Sequence, residues 1–478
     1  MSKTKQKSID ELLKEALVPK DEQPYEVPEN WVWTWTGVVH EIVTGSTPSK
    51  RNSEYYGGAF PFVKPGDLEQ EDSVIEASEY LTDQGKKKSR IIPRHSTLVC
   101  CIGSIGKVGF NLVECTTNQQ INSLIPDKKA IYPKYTYYFS LSPVYQSLLK
   151  ASSSSTTVSI VNKSKMSKLK FVLPPLNEQK RIVDKIERLF AKIDEAKRLV
   201  EEVKGSVELR RAAILERAFR GKLGTNNPNE QSMLEESNVI TKRDIVPENE
   251  QLYEVPKNWI WVKAGNVTEI VGGGTPKTTV KEYYENGNVP WITPADLSDF
   301  EGIYISRGQR NITSEGLRNS SAKLLPAKTV LLSSRAPIGY VAIAANLLST
   351  NQGFKSFIPS DVIDSEYLYW YFKKSKKYLE GMGSGSTFKE ISALKCKEIK
   401  IPLPPINEQK RISKRVGMLL NKLDHEQEMV SEVEEKLDLL KQSILSKAFR
   451  GELGTNDPND EHAIELLKEV LLQTSGQS

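Results

Sequence analysis

The chain has 478 residues, which is enough for two or more domains that each bury their own core. Hydrophobic residues make up 38% and charged residues 27%, and no apolar run approaches the roughly 18 residues that a membrane-spanning helix needs. The net charge of +5 permits nucleic-acid binding without demonstrating it, and the amino-terminal stretch MSKTKQKSIDELLKEAL lacks the apolar centre of a secretory signal. The 4 cysteines form no CxxC pair and only 4 histidines occur, which argues for a reducing cytoplasm and against a zinc site.

An internal repeat organises the chain. Three segments recur in the same order, each about 230 residues later: YEVPENWVW (25–33) as YEVPKNWIW (253–261), LPPLNEQKRI (173–182) as LPPINEQKRI (403–412), and AFRGKLGTNNPN (218–229) as AFRGELGTNDPN (448–459). This period is too long for a solenoid unit. It predicts two similar domains in succession.

A helical segment is predicted first, at 1–24, because Ser8 and Glu11 have the spacing of a capping box. Two globular parts are predicted at 25–175 and 253–405. Both mix short runs rich in Val, Ile and Tyr with Gly, Pro and Ser turns, which is typical of α/β structure. We expect the tryptophans near the start of each part to anchor its core rather than to stack on bases: Trp31, Trp33, Trp259 and Trp261.

Each globular part is followed by a long predicted helix, at 176–221 and 406–451. A double proline imposes an extended entry to the first helix, and Asn177 can cap the exposed amides of its first turn. Gly221 and Gly451 suit the left-handed conformation at which helices commonly end.

Apolar residues in both helices recur at alternating steps of four and three, which indicates a heptad seam rather than a broad amphipathic face. We therefore predict that the two helices pair with each other; packing of each helix on its own globular part is the alternative. Glu426 interrupts the second seam where the first has Ala196, so it either sets the register or is solvated. The predicted seam consists of Ile182, Ile186, Leu189, Ile193, Val200, Val203 and Val207 in the first helix and Ile412, Val416, Leu419, Leu423, Val430, Val433 and Leu437 in the second.

The predicted fold class is α/β (α+β), with two globular domains joined by two long antiparallel coiled-coil helices and an internal pseudo-twofold repeat. A linker is expected at 222–252 and a second helical segment at 452–478. The two end segments share the sequence ELLKE, so we expect the chain termini to lie close together.

No catalytic motif is apparent. The chain has no GxxxxGK[ST], GxGxxG, GxSxG or HExxH sequence, and its double prolines lack the flanking residues of an amino-methyltransferase loop. We predict no catalytic or metal-binding residue. Two related modules on a spacer are typical of a protein that contacts two segments of one polymer such as DNA; a stand-alone nuclease or methyltransferase and a coiled-coil scaffold are the rival hypotheses.

Four motifs occur in the same order in both halves, from residue 25 to residue 459: GxTP, TNQ, PPxNEQ and AFRG. In this order they resemble the specificity subunits of type I restriction–modification systems. The resemblance implies two target recognition domains that each read one half of a split, asymmetric DNA sequence. It also implies that two methyltransferase subunits dock on the long helices, that restriction and translocase subunits join them in the cytoplasm, and that S-adenosylmethionine, ATP and Mg are bound by those partners. A methylation-only or other defence assembly is the alternative.

Base-reading residues vary in such subunits, so the candidate DNA contacts rest on chemistry. Phosphates are bound by Lys, Arg, hydroxyls and free amides, and base edges by Arg, Lys, Asn and Gln. For Asn118 and Asn351 we favour a structural role. The candidates are Ser46, Thr47, Lys50, Arg51, Lys64, Lys86, Lys87, Lys88, Arg90, Ser104, Lys107, Ser155 and Thr156 in the first copy, and Thr275, Lys277, Thr279, Lys281, Arg335, Lys355, Ser386, Thr387 and Lys389 in the second.

Overall fold

The computed structural model describes residues 7–153, 160–335, 337–385 and 389–474. The chain folds into two compact units. Unit 1 comprises Met1–Val200 and Glu432–Ser478, and unit 2 comprises Glu201–Ser431. Each unit holds one globular part, called head 1 (25–175) or head 2 (253–405), together with the first portion of one long helix and the last portion of the other.

The described residues form 15 α-helices, of which two have 44 residues each. In chain order they are α1 (Ile9–Ala16), α2 (Thr36–Val39), α3 (Asp83–Lys87), α4 (Pro133–Leu141), α5 (Pro143–Ser152), α6 (Lys163–Ser167), α7 (Leu176–Phe219), α8 (Met233–Glu236), α9 (Ala264–Val267), α10 (Ser314–Arg318), α11 (Ser365–Lys374), α12 (Lys376–Met382), α13 (Ala393–Lys397), α14 (Ile406–Phe449) and α15 (Ala463–Thr474).

Head 1 contains three small sheets, with strand orders β2-β9-β6-β7, β4-β3-β8-β5 and β1-β10. All pairings are antiparallel except β3 with β8. The strands are β1 (Val32–Trp35), β2 (His40–Thr44), β3 (Tyr56–Val63), β4 (Tyr80–Leu81), β5 (Ile91–Ile92), β6 (Thr97–Cys100), β7 (Val108–Phe110), β8 (Cys115–Thr117), β9 (Ile121–Pro126) and β10 (Lys170–Leu173).

Head 2 also contains three sheets, with strand orders β12-β19-β16-β17-β14, β15-β13-β18 and β11-β20, so its main sheet has one strand more and its second sheet one strand fewer than in head 1. The strands are β11 (Ile260–Lys263), β12 (Thr268–Gly272), β13 (Val289–Ile292), β14 (Tyr304–Ile305), β15 (Arg310–Ile312), β16 (Val330–Ser333), β17 (Val341–Ala344), β18 (Ser349–Thr350), β19 (Phe354–Pro359) and β20 (Lys400–Leu403). The predicted mixed α/β class of two repeated domains is therefore confirmed.

Local rules explain where the helices begin and end. Ser8 and Glu11 form the predicted capping box of α1, with hydrogen bonds of 3.2 and 2.9 Å. Both long helices end before a glycine in the left-handed region, Gly221 at φ +65° and Gly451 at φ +74°. The start of α7 differs from the prediction: the helix already includes Leu176, so Asn177 lies inside the first turn and is not its cap.

The two long helices run antiparallel within each unit. In unit 1, Asp194 pairs with Lys441 at 2.6 Å and Lys197 pairs with Asp438 at 2.5 Å. In unit 2, the interhelical ion pairs are Arg211–Asp424 at 2.5 Å and Arg210–Glu426 at 2.8 Å. Glu426, which interrupts the apolar pattern, is thus tied to the neighbouring helix.

The seam is less uniform than a coiled coil. Ile182, Ile186 and Ile193 are buried, but they belong to the core of head 1 together with the carboxyl-terminal part of α14. Ile412, Val416 and Leu423 are buried in the core of unit 2 in the same way. Val207 is buried as well. The half-buried members of the predicted seam are Leu189, Val200, Leu419, Val430 and Leu437. The helices therefore pack on a head as well as on each other, so the alternative interpretation is also partly correct.

Val203 and Val433 were predicted to lie in the buried seam, but they are 38% and 41% exposed, so the prediction is wrong for them. Leu420 is buried instead of Leu419. A straight helix of 3.6 residues per turn drifts away from a strict heptad repeat, and a head packed against one side widens the buried face.

The AFRG segments (218–229 and 448–459), called the junction segments, explain several repeated motifs. In unit 1, Trp31 Nε1 donates a hydrogen bond to Asn456 Oδ1 at 3.1 Å, and Thr455 Oγ1 donates to Glu178 Oε1 at 2.6 Å. In unit 2 the equivalent bonds join Trp259 to Asn226 at 3.2 Å and Thr225 to Glu408 at 2.6 Å. These tryptophans hold the junction, and Trp33 and Trp261 are buried in full, as expected of core anchors.

The two end segments were predicted to lie close together, and their described helices do so. Helix α1 packs against α15 inside unit 1. Leu13, Ala16, Leu467 and Val470 belong to one apolar core. Unit 1 is thus completed by residues from both ends of the chain.

Candidate nucleic-acid interface

A turn that begins with TNQ occupies the same place in both heads, at 117–120 and 350–353, and is called the TNQ turn below. It begins at the last residue of β8 or β18. Asn118 Oδ1 accepts a hydrogen bond from the backbone amide two residues later at 3.1 Å, and Asn351 Oδ1 does the same at 2.9 Å. These amides close the turn, which is a structural role.

The glycine of the GxTP motif lies directly against the TNQ turn in both heads. A Cβ atom at Gly45 would stand 2.1 Å from Asn118 O, and one at Gly273 would stand 1.9 Å from Asn351 O. Real Cβ atoms essentially never approach a neighbour within 3.0 Å. Only glycine permits this packing, and the motif thereby places its hydroxyl residues beside the turn.

Two predicted contact residues are linked to this place in head 1. Thr47 Oγ1 donates a hydrogen bond to Gln119 Oε1, and Arg90 Nη1 donates to Thr44 O at 2.6 Å. Ser46 corrects the prediction. Its hydroxyl is buried and has no hydrogen-bond partner among the described residues, so it faces the interior and is not accessible to a phosphate.

Seven predicted cations are exposed, and within the described part of the chain their side chains form no ion pair or hydrogen bond. They are Lys50, Arg51, Lys87, Lys88, Lys277, Lys281 and Lys389. Ser104 and Thr279 are exposed in the same way, and Thr275 is half-buried. Unpaired surface cations are free to neutralise phosphates, so this subset keeps the strongest physical case.

Apart from Arg90, the other predicted cations form ion pairs with carboxylates of their own head. Lys64 pairs with Glu79 at 2.8 Å, Lys86 with Glu114 at 2.8 Å, and Lys107 with Glu69 at 2.9 Å. Such partly exposed pairs contribute only about 0–1 kcal/mol, so a phosphate can replace the carboxylate. Each pair nevertheless cancels one charge and weakens the attraction that the sequence suggested.

Glu390 binds two predicted cations of head 2 at once. Its Oε2 accepts from Arg335 Nε and Nη2 at 3.0 and 2.9 Å, and its Oε1 lies 3.2 Å from Lys355 Nζ. Lys355 is only 12% exposed, so this lysine is a support for Glu390 and not the surface phosphate contact that was predicted. Ser155, Thr156, Ser386 and Thr387 lie outside the described residues.

Sequence reasoning missed the glutamine of the TNQ turn. Gln119 and Gln352 are exposed at the same position of the turn in the two heads. A glutamine amide can donate and accept toward a base edge or a phosphate. The identical TNQ in both copies was the available signal, but positive charge decided the choice of candidate residues.

The cysteine thiols are buried, which makes them difficult to ionise. Burial raises the pKa of the Cys101, Cys115 and Cys396 thiols to about 12 in each case, so they remain protonated at neutral pH. Within the described residues no group of three or more His, Cys, Asp and Glu is placed to hold a metal ion. None of the described helices combines the length and apolar character needed to span a membrane.

Known proteins share this architecture. A family model described as the type I restriction modification DNA specificity domain matches the chain twice, over residues 28–204 and 256–435. The type I restriction enzyme MjaIX specificity subunit of Methanocaldococcus jannaschii is 49% identical over 162 residues, which cover 34% of this chain and 37% of that relative. The putative type I restriction enzyme MjaX specificity subunit of the same organism is 25% identical over 451 residues, 90% of this chain and 95% of the relative.

Among solved structures, the crystal structure of the HsdS subunit from Thermoanaerobacter tengcongensis matches with a TM-score of 0.61 at 21% identity, over 90% of this chain and 99% of that one. This likeness shows a shared fold. Because the family model covers more than half of the residues, in both copies of the repeat, the chain belongs to the type I restriction-modification DNA specificity family.

Proposed function

We propose that this chain is the DNA-specificity subunit of a type I restriction–modification complex, in which each head reads one half of a bipartite target. The observation that carries the proposal is a loop scaffold that is the same in both heads and is filled with different polar side chains. A shared scaffold places the reading loops alike, and different fillings select different bases.

Helices α3 and α10 illustrate this combination. Thr82 Oγ1 caps α3 by accepting from Gly85 N at 3.3 Å, and Thr313 Oγ1 caps α10 by accepting from Gly316 N at 3.0 Å. The three residues that follow the glycine are Lys-Lys-Lys in head 1 and Leu-Arg-Asn in head 2. In the same capped helix, the glycine is therefore followed by three cations in head 1 and by one in head 2.

The catalytic steps are proposed to belong to partner subunits. Two methyltransferase subunits would dock on the long helices and bind S-adenosylmethionine, and restriction and translocase subunits would use ATP and Mg in the cytoplasm. The target recognition domains are proposed to be 25–175 and 253–405. The paired helices would fix the gap between the half-sites. A methylation-only assembly remains the second candidate, and a purified complex without ATP-dependent cleavage would favour it.

The direct experiment is selection of bound duplexes from a randomised DNA pool, with the full chain in the assembly that it forms in its source cells. We expect two short sequence blocks separated by a gap of fixed length. Selection of one continuous block, or of no sequence, would refute the proposal. The double variant Ile193→Glu with Ala196→Glu tests the spacer, because two charges beside the buried seam should broaden the range of gap lengths that the protein accepts.

The phosphate contacts are tested by a matched pair of double variants in unit 1. Lys87→Ala with Lys88→Ala removes two exposed, unpaired cations beside the α3 cap, and Lys14→Ala with Lys20→Ala removes two exposed cations from the amino-terminal segment. The first pair should reduce the slope of log affinity against log salt by up to about 2, since each phosphate contact contributes about 0.9. The second pair should leave the slope unchanged.

A further inference from the structure

One position beside the TNQ turn is equivalent in the two heads by backbone register. In head 1, Cys101 N donates to Gln120 O at 2.7 Å and Ile102 bridges to Ile160. In head 2, Ser334 N donates to Gly353 O at 2.8 Å and Arg335 bridges to Glu390. The two bridges therefore occupy the same place, and they carry two isoleucines in head 1 but an ion pair in head 2.

A residue on the neighbouring strand also differs between the two heads: it is Asn122 in head 1 and Lys355 in head 2. Asn122 in β9 and Lys355 in β19 pair with equivalent residues of the neighbouring strand, Val99 and Leu332. Asn122 Nδ2 donates to the backbone carbonyl of Val161 at 3.0 Å, so it only supports the chain. Lys355 instead reaches the Glu390 carboxylate at 3.2 Å. Head 2 therefore differs from head 1 at three equivalent positions. Arg335, Glu390 and Lys355 form a connected ionic group where head 1 has two isoleucines and an asparagine.

Arg335 is held in one orientation but is not saturated. Both of its bonds to Glu390 use one edge of the guanidinium, through Nε and Nη2. A guanidinium carries five N–H donors. The remaining three have no acceptor among the described residues, and the side chain is 46% exposed.

Glu390 is an anion at neutral pH despite its partial burial. Burial alone would raise its pKa, but the hydrogen bonds and positive charges of Arg335 and Lys355 outweigh it and lower the pKa. The carboxylate both fixes the plane of the guanidinium and cancels its charge locally. Cancelled charge disfavours a phosphate as the ligand, whereas fixed, directional donors suit the paired acceptors of a base.

We propose that Arg335, positioned by Glu390, reads a guanine in the half-site of head 2 by donating to its O6 and N7 atoms in the major groove. Arginine on guanine is the commonest specific contact in that groove. At the equivalent position of head 1, Ile102 and Ile160 have no donor and contact the methyl group of a thymine. The inference rests on the proposed function and names the chemistry of one reading position in each head.

The test is the same duplex selection, applied to the full chain in its assembly with Arg335→Lys, Arg335→Ala and Glu390→Gln. Lysine keeps the charge but lacks the two-pronged fork, so both Arg335 variants should lose the guanine preference at one position of one block. The loss should be roughly 5- to 150-fold in discrimination, corresponding to 1–3 kcal/mol per two-pronged contact. Glu390→Gln should weaken that preference and leave overall affinity within about twofold, by the same reasoning on orientation.

Matched controls separate the possible outcomes. Lys277→Ala removes an unpaired cation of the same head and should weaken binding to all sequences alike. Ile102→Ala should reduce the preference for thymine at one position of the block that head 1 reads, and leave the other block unchanged. Uniform weakening by Arg335→Ala with recovery by Arg335→Lys would show a phosphate contact and overturn the inference, as would an unchanged consensus. A wild-type assembly that selects no two-block consensus would instead overturn the proposed function.

Discussion

Units 1 and 2 are built from the same motifs but are completed by different parts of the chain. In unit 2, the tryptophan of the junction and its partner, Trp259 and Asn226, are 33 residues apart. In unit 1, Trp31 and Asn456 are 425 residues apart and form the same bond. The contact chemistry defines a unit, and the order of its pieces along the chain does not.

The units also differ at a buried position on the first strand of the main sheet. His40 pairs with Pro126 in unit 1, and Thr268 pairs with Pro359 in unit 2, so the two residues are equivalent. His40 is buried, with Nδ1 3.1 Å from Thr36 O and Nε2 2.7 Å from Thr136 Oγ1. The same buried position thus holds a titratable group in one unit and a hydroxyl in the other.

The largest effect is expected from the aromatic residue that ends each long helix. Phe449 lies 5.1 Å from Phe139 between ring centroids in unit 1, and Phe219 lies 5.2 Å from Tyr371 in unit 2. Both are fully buried. Phe449→Ala and Phe219→Ala should each lower the free energy of unfolding of their own unit by about 3–5 kcal/mol. Hydrogen exchange of peptides from each unit measures this, and equal loss in both units from one variant would contradict the division into units.

The second effect depends on pH and separates the units. Burial lowers the pKa of His40 to about 4 from its ordinary 6.5. Between these two pH values the unfolded chain therefore binds a proton at His40 that the folded unit does not bind. Unit 1 should therefore lose about 3 kcal/mol of stability as the pH falls from 6.5 to about 4. His40→Thr, which copies unit 2, should abolish this part of the acid sensitivity. An unchanged pH profile in that variant would mean that His40 is protonated when folded.

A third, smaller effect concerns the buried carboxylates of the junctions. Burial raises the pKa of Glu178 and Glu408, and hydrogen bonds from Thr455 and Thr225 partly offset it. Thr455→Val and Thr225→Val should each cost about 1–3 kcal/mol. Because the folded pKa lies above the unfolded one, the contribution of each glutamate falls as the pH rises through the folded pKa, and the valine variants should steepen that fall. Thermal unfolding across pH is the measurement, and a flat profile in either variant would contradict it.

The smallest effect is expected from the ion pairs between the long helices. Lys197→Ala in unit 1 and Arg211→Ala in unit 2 remove pairs with Asp438 and Asp424 whose side chains are partly exposed. Each change should cost only about 0.2–1 kcal/mol and less in high salt. Denaturant unfolding with and without salt tests this. A cost comparable to that of the phenylalanine variants would mean that charge and not apolar packing holds the helices.

The recognition scaffold could be read largely from the sequence, but the accessibility of its side chains could not. The GxTP and TNQ motifs marked the segments that meet in each head, because both are duplicated in order. Ser46 and Lys355 were predicted as DNA contacts from their chemistry alone. In the structure the Ser46 hydroxyl faces the interior, and Lys355 forms an ion pair with Glu390. Burial and pairing depend on neighbours that are distant in sequence.

The sequence by itself determined the elements that obey local rules. The duplication, the two helices of 44 residues, the capping box at Ser8 and the glycine stops at Gly221 and Gly451 follow from spacing and backbone preference. Apart from the duplication, these features depend on residues that are near each other in the sequence.

Only the tertiary structure decided which contacts complete each unit. The docking of Asn456 on Trp31, the drift of the seam to Leu420 and the equivalence of Ile102 with Arg335 all depend on contacts between separate segments. A heptad pattern specifies that a face is apolar, but a second packing partner decides how wide the buried face becomes. For the same reason, the chemistry of each reading position emerged only when strand register aligned the two heads.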